Sequence, residues 1–285
     1  MKILLIGKGH LGSFLKERLS ISDEMHWVRE MAELDATTIV RLAPEVVVNT
    51  AGKTDLSWCE ANPVECFRCN VSAPLGVYRA IKEVLFSYGR PIPYVHLSSG
   101  CVWDGPYNSH GKPFGWADPP TPACFYSWTK AACDAMLLQE RSTPISILRP
   151  RQVYSHLDSP RNTLAKLNRY PKLLDTPNSM TSAATIARTI EKLFETHPGL
   201  GTNLFWNRVM NVYDRGHSSP FEVGTMLAEA GKRQPPERLT KGELDGWHKP
   251  KRVDAVIEDG HFEHLVDPPG VQHELRRVIG TWGGK

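Results

Sequence analysis

The sequence predicts an α/β fold built on a doubly wound parallel sheet, and three observations predict it. A short apolar run at residues 2–6, K-I-L-L-I, leads straight into glycines and then an amphipathic stretch. Strand-like and helix-like segments alternate through residue 149. The run E-V-V-V-N at 45–49 is continuous and β-branched, which suits a parallel strand covered on both faces.

The elements follow in order. After the first strand, G-K-G-H-L-G (7–12) and then S-F-L-K-E-R-L read as a glycine turn leading into a helix, with Leu11, Phe14, Leu15 and Leu19 on one side. Residues 25–29 read as a weaker second strand and 45–49 as the third. Helical sequence runs from Pro63 to Tyr88, with a break expected at Pro74. P-Y-V-H-L-S (93–98) is the fourth strand, and the Gly- and Pro-rich stretch 100–122 is loop. A helix over 124–140 and a strand at 145–149 complete the alternation. Beyond Pro150 the pattern is less regular: a helix over 182–195, a late strand at 203–207, a helix over 219–230 and another near 271–279. Ser219 followed by Pro220 is a helix cap and first-turn pair. The division is therefore residues 1–150 as the sheet domain and 151–285 as a smaller lobe, part of which returns to the sheet.

Composition narrows the function classes. Hydrophobic residues are 41% and charged residues 23% of 285, as in an ordinary globular chain. The net charge of +3, with no basic block interleaved with aromatics, points away from nucleic acid. The first apolar run is too short for a signal peptide core, and no stretch approaches the roughly 18 apolar residues of a membrane span. Six dispersed cysteines fit a reducing, cytoplasmic setting. Cys66 and Cys69 form a C-x-x-C without a second ligand pair, so they read as small helix residues more readily than as a metal or redox site. The eleven histidines form no ligand motif, and the three-residue spacing of His261 and His264 is weak support for a metal.

Gly7, Gly9 and Gly12 make G-x-G-x-x-G between a strand and a helix. Gly7 allows the tight turn, Gly9 admits a pyrophosphate close to the backbone, and Gly12 lets helix and strand approach. The helix N-terminus supplies free N–H groups to the diphosphate, so His10 and Leu11 join the glycines as cofactor-binding positions. The same spacing also suits a turn that binds nothing. With the alternation, this motif makes the expected fold Rossmann-type, with the C-terminal lobe binding substrate at the sheet's C-terminal edge. Arg29, in H-W-V-R-E, stands where the cofactor-selecting residue is expected. A guanidinium there suits a 2′-phosphate, so NADP(H) is favoured, while Glu30 beside it keeps NAD(H) open.

Tyr126 and Lys130 are four apart and share one helix face. Ser98 and Ser99 close the strand at 93–98, on the same sheet edge as the glycine turn. Ser99, Tyr126 and Lys130 are thus catalytic candidates for carbonyl reduction. Tyr126 would give a proton, Lys130 would lower its pKa and hold the nicotinamide ribose, and Ser99 would orient the carbonyl. The alternative is an ordinary helix surface pair.

Several stretches carry a resemblance. These are V-V-V-N-T-A-G-K-T-D-L-S-W-C-E-A-N-P (46–63), C-N-V-S-A-P (69–74), H-L-S-S-G-C-V-W-D-G (96–105), Y-S-W-T-K (126–130) and I-L-R-P (147–150). The chain resembles the extended short-chain dehydrogenases/reductases, and among them the dTDP-4-dehydrorhamnose reductase (RmlD-like) type. The match covers residues 1–150 and continues faintly at 181–190 and 250–254. The resemblance implies an NAD(P)H-dependent reductase of a keto group on a nucleotide-linked sugar, with Ser99, Tyr126 and Lys130 catalytic. It implies Asn70 as a brace near the lysine, Ala51 and Gly52 along the cofactor, and Asp35 near the adenine. A homodimer through the helices near 73–88 and 124–140 is a further implication. Gly100 and Cys101 stand where rhamnose-forming members have Asp and Tyr, which points to a different keto sugar. An epimerase or dehydratase on the same substrate class, and a non-catalytic nucleotide-binding subunit, are the competing readings. Arg149, Arg151 and Arg161 are candidates for substrate phosphates, and Trp103 for packing its loop.

Overall fold

The computed structural model describes residues 1–19, 24–29, 31, 34–140, 142–195, 206–247 and 250–283. Glu30 and residues 203–205 of the expected late strand lie outside them. The strands are β1 (Lys2–Ile6), β2 (Glu24–Val28), β3 (Val46–Asn49), β4 (Tyr94–Leu97), β5 (Ile145–Pro150), β6 (Val153–Tyr154), β7 (Lys172–Leu174), β8 (Thr181–Ser182), β9 (Arg208–Val212) and β10 (Glu237–Leu239). The helices are α1 (His10–Leu19), α2 (Ala36–Leu42), α3 (Leu56–Ala61), α4 (Pro63–Phe67), α5 (Ala73–Tyr88), α6 (Phe125–Gln139), α7 (Thr163–Arg169), α8 (Ala183–Glu195), α9 (Pro220–Glu229), α10 (Lys241–Trp247), α11 (Gly260–Val266) and α12 (Val271–Thr281).

Six strands form one sheet in the order β2-β1-β3-β4-β5-β9, and the pairings from β2 to β5 are all parallel. The chain moves outward one way from β1 to β2 and the other way from β3 onward. The reversal between β1 and β3 is the switch point where ligands enter this class of sheet. Gly7 and Thr50 follow the two strands there, and Thr50 N–H donates to Ile6 O at 2.9 Å. Leu4, Ile6, Val47, Tyr94 and Ile147 face one core with α2, α5 and α6. On α1, Phe14, Leu15 and Leu19 are buried, and Arg18 reaches Glu191 of α8 at 3.2 Å.

The chain divides into two compact units. The first holds residues 1–99, 124–149 and 190–210. The second holds 100–123, 150–189 and 211–285, so the loop ahead of α6 clusters with later sequence and 190–210 returns to the sheet. In the second unit Ser219 caps α9 in a reciprocal box with Glu222, with Pro220 in the first turn. Tyr154, Leu164, Met180, Leu227 and Leu275 form its core. Short parallel pairs, β6 with β8 and β7 with β10, replace long strands.

The structure differs locally from expectation in three places, and Pro74 accounts for the last. The late strand is β9 at 208–212, just beyond the expected 203–207. Helix α1 begins at His10, so Gly12 lies inside the helix and not before it. The helix interruption falls at a π-turn over Arg68–Ser72 instead of at Pro74 itself. Pro74 has no N–H for the Asn70 carbonyl, and Ala73 N–H reaches back five residues to Arg68 O. Among the described residues no helix is long and apolar enough to cross a membrane.

Candidate active site

The glycine turn is sterically enforced at two of its three glycines. Gly7 has φ +104°, and a Cβ there would lie 2.6 Å from Thr50 Oγ1 and 2.8 Å from Ala51 N. A Cβ on Gly12 would lie 2.0 Å from Gly7 O, so α1 can rest on the turn only without a side chain. His10 is buried at the first position of α1, and Leu11 is half-buried. Arg29 is exposed just past β2. Asp35 caps α2, its Oδ1 accepting from Thr38 N–H at 2.7 Å, and that bond lowers its pKa from the ordinary value.

The second cluster is built around Asn70, which the π-turn carries into the interior. Its Oδ1 accepts from Lys53 N–H at 2.8 Å, and its Nδ2 donates to Lys53 O at 3.0 Å. The amide thus reads both backbone groups of one loop residue, as a neighbouring strand would. Asn70 Nδ2 also donates to Thr129 Oγ1 at 3.2 Å, and Thr129 Oγ1–H donates to Tyr126 O at 2.7 Å. One amide therefore connects the loop after β3 to the first turn of α6.

Lys130 lies one turn further along α6 and is 3% exposed, while Tyr126 is 6% exposed. Lys130 Nζ donates to Leu97 O, the last carbonyl of β4, at 3.1 Å. A Cβ on Gly52 would stand 3.5 Å from that ammonium and 3.1 Å from Asn70 Oδ1. Gly52 therefore leaves open the space beside a buried positive charge. Ser98 and Ser99 follow directly on the chain and are buried, and the Ser98 hydroxyl meets no hydrogen-bond partner among the described residues. Such an orphaned buried hydroxyl, with space kept at Gly52 and a turn closed to side chains, fits a bound dinucleotide.

Beneath Lys130 lies a neutral polar network. Asn49 Oδ1 accepts from Ala51 N–H at 2.9 Å, which fixes the amide's orientation. Its Nδ2 donates to Tyr94 OH at 2.9 Å and approaches His96 Nδ1 at 3.3 Å. His96 Nδ1 is thus the acceptor, and Nε2 carries the proton towards Cys133 Sγ at 3.7 Å. Burial, then the Lys130 ammonium, hold His96 well below the usual imidazole range. Burial and the Asp134 carboxylate push the Cys133 thiol up to about 12. Neither group adds a charge beside Lys130 near neutral pH.

Other predicted residues are occupied elsewhere. Arg149 is buried against Asp134 at 2.7 Å, Arg151 is buried among neutral partners, and Arg161 is exposed. Trp103 is fully buried and stacks on Phe114 at 5.4 Å. Cys66 touches Asn70 and Thr129, and Cys69 donates to Glu65. Thr129 and Lys53 were missed from sequence. Thr129 sits in the Y-x-x-x-K stretch, but its role depends on Asn70, 59 residues away.

Comparison with known proteins gives one family and consistent relatives. The RmlD substrate binding domain model matches residues 1–198. A trifunctional Arabidopsis thaliana protein is 26% identical over 293 residues. It is named UDP-glucose 4,6-dehydratase/UDP-4-keto-6-deoxy-D-glucose 3,5-epimerase/UDP-4-keto-L-rhamnose-reductase. The match takes in 94% of this chain but 42% of that protein, so the chain spans well under half the length of this curated relative. Among solved structures, the L780 UDP-rhamnose synthase of Acanthamoeba polyphaga mimivirus has TM-score 0.82 at 21% identity, covering 99% of both chains. A dTDP-4-dehydrorhamnose reductase of Bacillus anthracis, solved with NADP, has TM-score 0.80 at 16% identity over 98% of both chains. These structural likenesses are likenesses of fold.

Proposed function

Because the chain belongs to the RmlD substrate binding domain family, we propose that it is an NADPH-dependent reductase of a 4-keto deoxysugar carried on a nucleoside diphosphate. The relative matched along 94% of this chain is named for a UDP-4-keto sugar, which makes the uridine nucleotide the first substrate to try. The observation that carries the reading is the buried Lys130 ammonium, aimed at the last β4 carbonyl beside the space left by Gly52 and one helical turn from the buried Tyr126.

In this reading Gly7, Gly9, His10, Leu11 and Gly12 hold the diphosphate of the cofactor. Ala51 and Gly52 line its path, Asp35 lies towards the adenine, and Arg29 favours NADP(H) over NAD(H). NADPH held there would supply the hydride for the keto carbon. Tyr126 gives its phenolic proton to the keto oxygen, and Ser99 donates a hydrogen bond that holds that oxygen in place. Lys130 stabilises the tyrosinate left behind, since a nearby positive charge favours the ionised phenol. Asn70 fixes the Lys53 loop against α6, and the neutral His96 keeps a second charge away from Lys130. Gly100 and Cys101 stand where the resemblance puts Asp and Tyr, so a 4-keto deoxysugar other than 4-keto-rhamnose is the alternative substrate of the same reaction.

A homodimer through α5 and α6 is part of the same proposal, supported by the exposed Phe86, Trp128 and Met136; sedimentation measures it. Six free thiols suit a reducing, cytoplasmic setting. Calorimetric titration with NADPH and with NADH tests the cofactor assignment. Binding with NADPH preferred is the expected result. Binding without turnover would favour the non-catalytic nucleotide-binding subunit, and an absence of binding to protein free of prior cofactor would overturn the glycine-turn assignment.

A further inference from the structure

Helix α6 carries Tyr126 in its first turn and begins without a cap of its own. Its N-cap is Cys124, in extended backbone, and the Cys124 side chain makes no capping bond. The thiol lies instead 3.1 Å from Ser127 Oγ. A helix leaves its first four N–H groups without intrahelical acceptors, and Ser, Thr, Asp or Asn at the N-cap ordinarily serves one of them. Here the acceptor comes from another helix. Glu60 Oε1, on α3, accepts from Phe125 N–H at 2.7 Å, across 65 residues of chain. A carboxylate at the positive end of a helix makes a charge-assisted bond, and the macrodipole adds to it.

The helix that presents this carboxylate is held at both ends. Asp55 caps the start of α3, its Oδ1 accepting from Trp58 N–H at 2.9 Å, and Asn62 closes the end, its Nδ2 donating to Trp58 O at 2.9 Å. The buried Cys59 thiol reaches Lys53 O at 3.9 Å, and Lys53 is the residue that the Asn70 amide holds by both backbone groups. Glu60 and Asn70 thus grip α6 on either side of Tyr126 in the chain. Glu60 holds the N–H of the preceding residue, while Thr129, bonded to Asn70, holds the Tyr126 carbonyl at 2.7 Å. Phe125 also stacks on Trp128 at 5.5 Å, and Trp128 meets Phe67 of α4 at 6.0 Å. Without Glu60 one grip is left, on an uncapped turn, and that turn aims the phenol. We infer that Glu60 is a positioning residue for Tyr126, a cap supplied by α3 that fixes the first turn of α6 so that the phenol meets the keto oxygen. The inference deepens the reductase reading above and rests on Tyr126 as the proton donor. Because Glu60 acts through the α6 backbone, its loss slows the chemical step and spares binding.

The test is a double-variant cycle on the full chain, with UDP-4-keto-L-rhamnose and NADPH. Glu60→Ala should lower kcat about tenfold and leave KM and NADPH affinity within about twofold, since misplacing a reacting group costs rate without touching binding contacts. Glu60→Gln, which keeps an acceptor oxygen, should recover most of that loss. In a Tyr126→Phe background, Glu60→Ala should change the residual turnover by less than about twofold, because the group it positions is already gone. Amide hydrogen exchange read by mass spectrometry should be faster at 125–128 in Glu60→Ala, with the protein still folded by circular dichroism. A merely structural loss would lower turnover by the same factor in both backgrounds, and that additivity overturns the inference. Wild-type kcat in Glu60→Ala, or unchanged exchange at 125–128, overturns it too. The outcomes keep the two readings apart. If Tyr126→Phe itself turns over at the wild-type rate, the proton-donor reading falls and this role falls with it. If Tyr126→Phe is slow and the Glu60→Ala loss adds to it in full, this role falls and the reductase stands.

Discussion

Arg149 and Arg151 stand two residues apart at the end of β5, both buried, and the protein handles their charges in different ways. Arg149 donates to the Asp134 carboxylate at 2.7 Å, joining β5 to the helix before it. Arg151 donates to Cys101 Sγ at 2.9 Å, Asn178 Oδ1 at 2.9 Å and Val253 O at 2.8 Å, all neutral acceptors. The first contact lies within one helix–strand repeat of the first unit. The second set gathers three distant segments of the second unit around one side chain. At this strand end the first unit thus shows a local charge pair, whereas the second shows one polar side chain that reaches far along the chain.

Substitutions should separate the two arrangements. Arg149→Met leaves the Asp134 carboxylate buried without its cation and should cost about 3–5 kcal/mol in denaturant unfolding. Adding Asp134→Leu to that variant should restore most of the loss, because removing both charges also removes both desolvation costs. Arg151→Met should cost less, about 1–3 kcal/mol, since it abandons neutral acceptors only. An Arg151 loss as large as that of Arg149 would erase the distinction.

The smallest effect concerns pH. Asp214, in the second unit, accepts from Tyr154 OH at 2.6 Å, Ser182 N–H at 2.7 Å and Thr185 Oγ1–H at 2.5 Å. Burial outweighs these bonds and raises its pKa from 3.8 to about 6. The folded carboxyl therefore holds its proton more tightly than the unfolded one. Its contribution to stability is full below pH 3.8 and is lost as the pH rises through 6. Asp214→Asn should flatten the stability profile across that interval, which thermal unfolding at several pH values would detect.

The same contrast explains what could be read from sequence. The strands at 2–6, 45–49, 93–98 and 145–149 were legible because each is a short buried run, largely aliphatic or aromatic, set between loop-forming residues. The α9 cap was legible because Ser219 and Pro220 are local, while the reciprocal bond from Glu222 came with the structure. The π-turn at 68–72 was not, since the missing N–H of Pro74 predicts a disturbance without saying how the preceding turn absorbs it. The association of residues 100–123 with the second unit was not legible either. It rests on Phe114, which pairs with Ile257 and whose carbonyl accepts from Asn211, far along the chain. In the candidate site, Tyr126 and Lys130 came from local spacing and Asn70 from resemblance. The reason for Gly52 appeared only once Lys130 Nζ and Asn70 Oδ1 were placed beside it.

The central claim is that Tyr126 delivers a proton to a sugar carbonyl, with NADPH consumed. The most direct measurement follows nicotinamide absorbance with UDP-4-keto-L-rhamnose, for the wild type and for Tyr126→Phe. One equivalent of NADPH should be oxidised per sugar reduced, and the variant should turn over slower by a factor on the order of 10² or more with cofactor affinity retained. Near-wild-type turnover in Tyr126→Phe, or NADPH that binds and is never oxidised, would contradict the account.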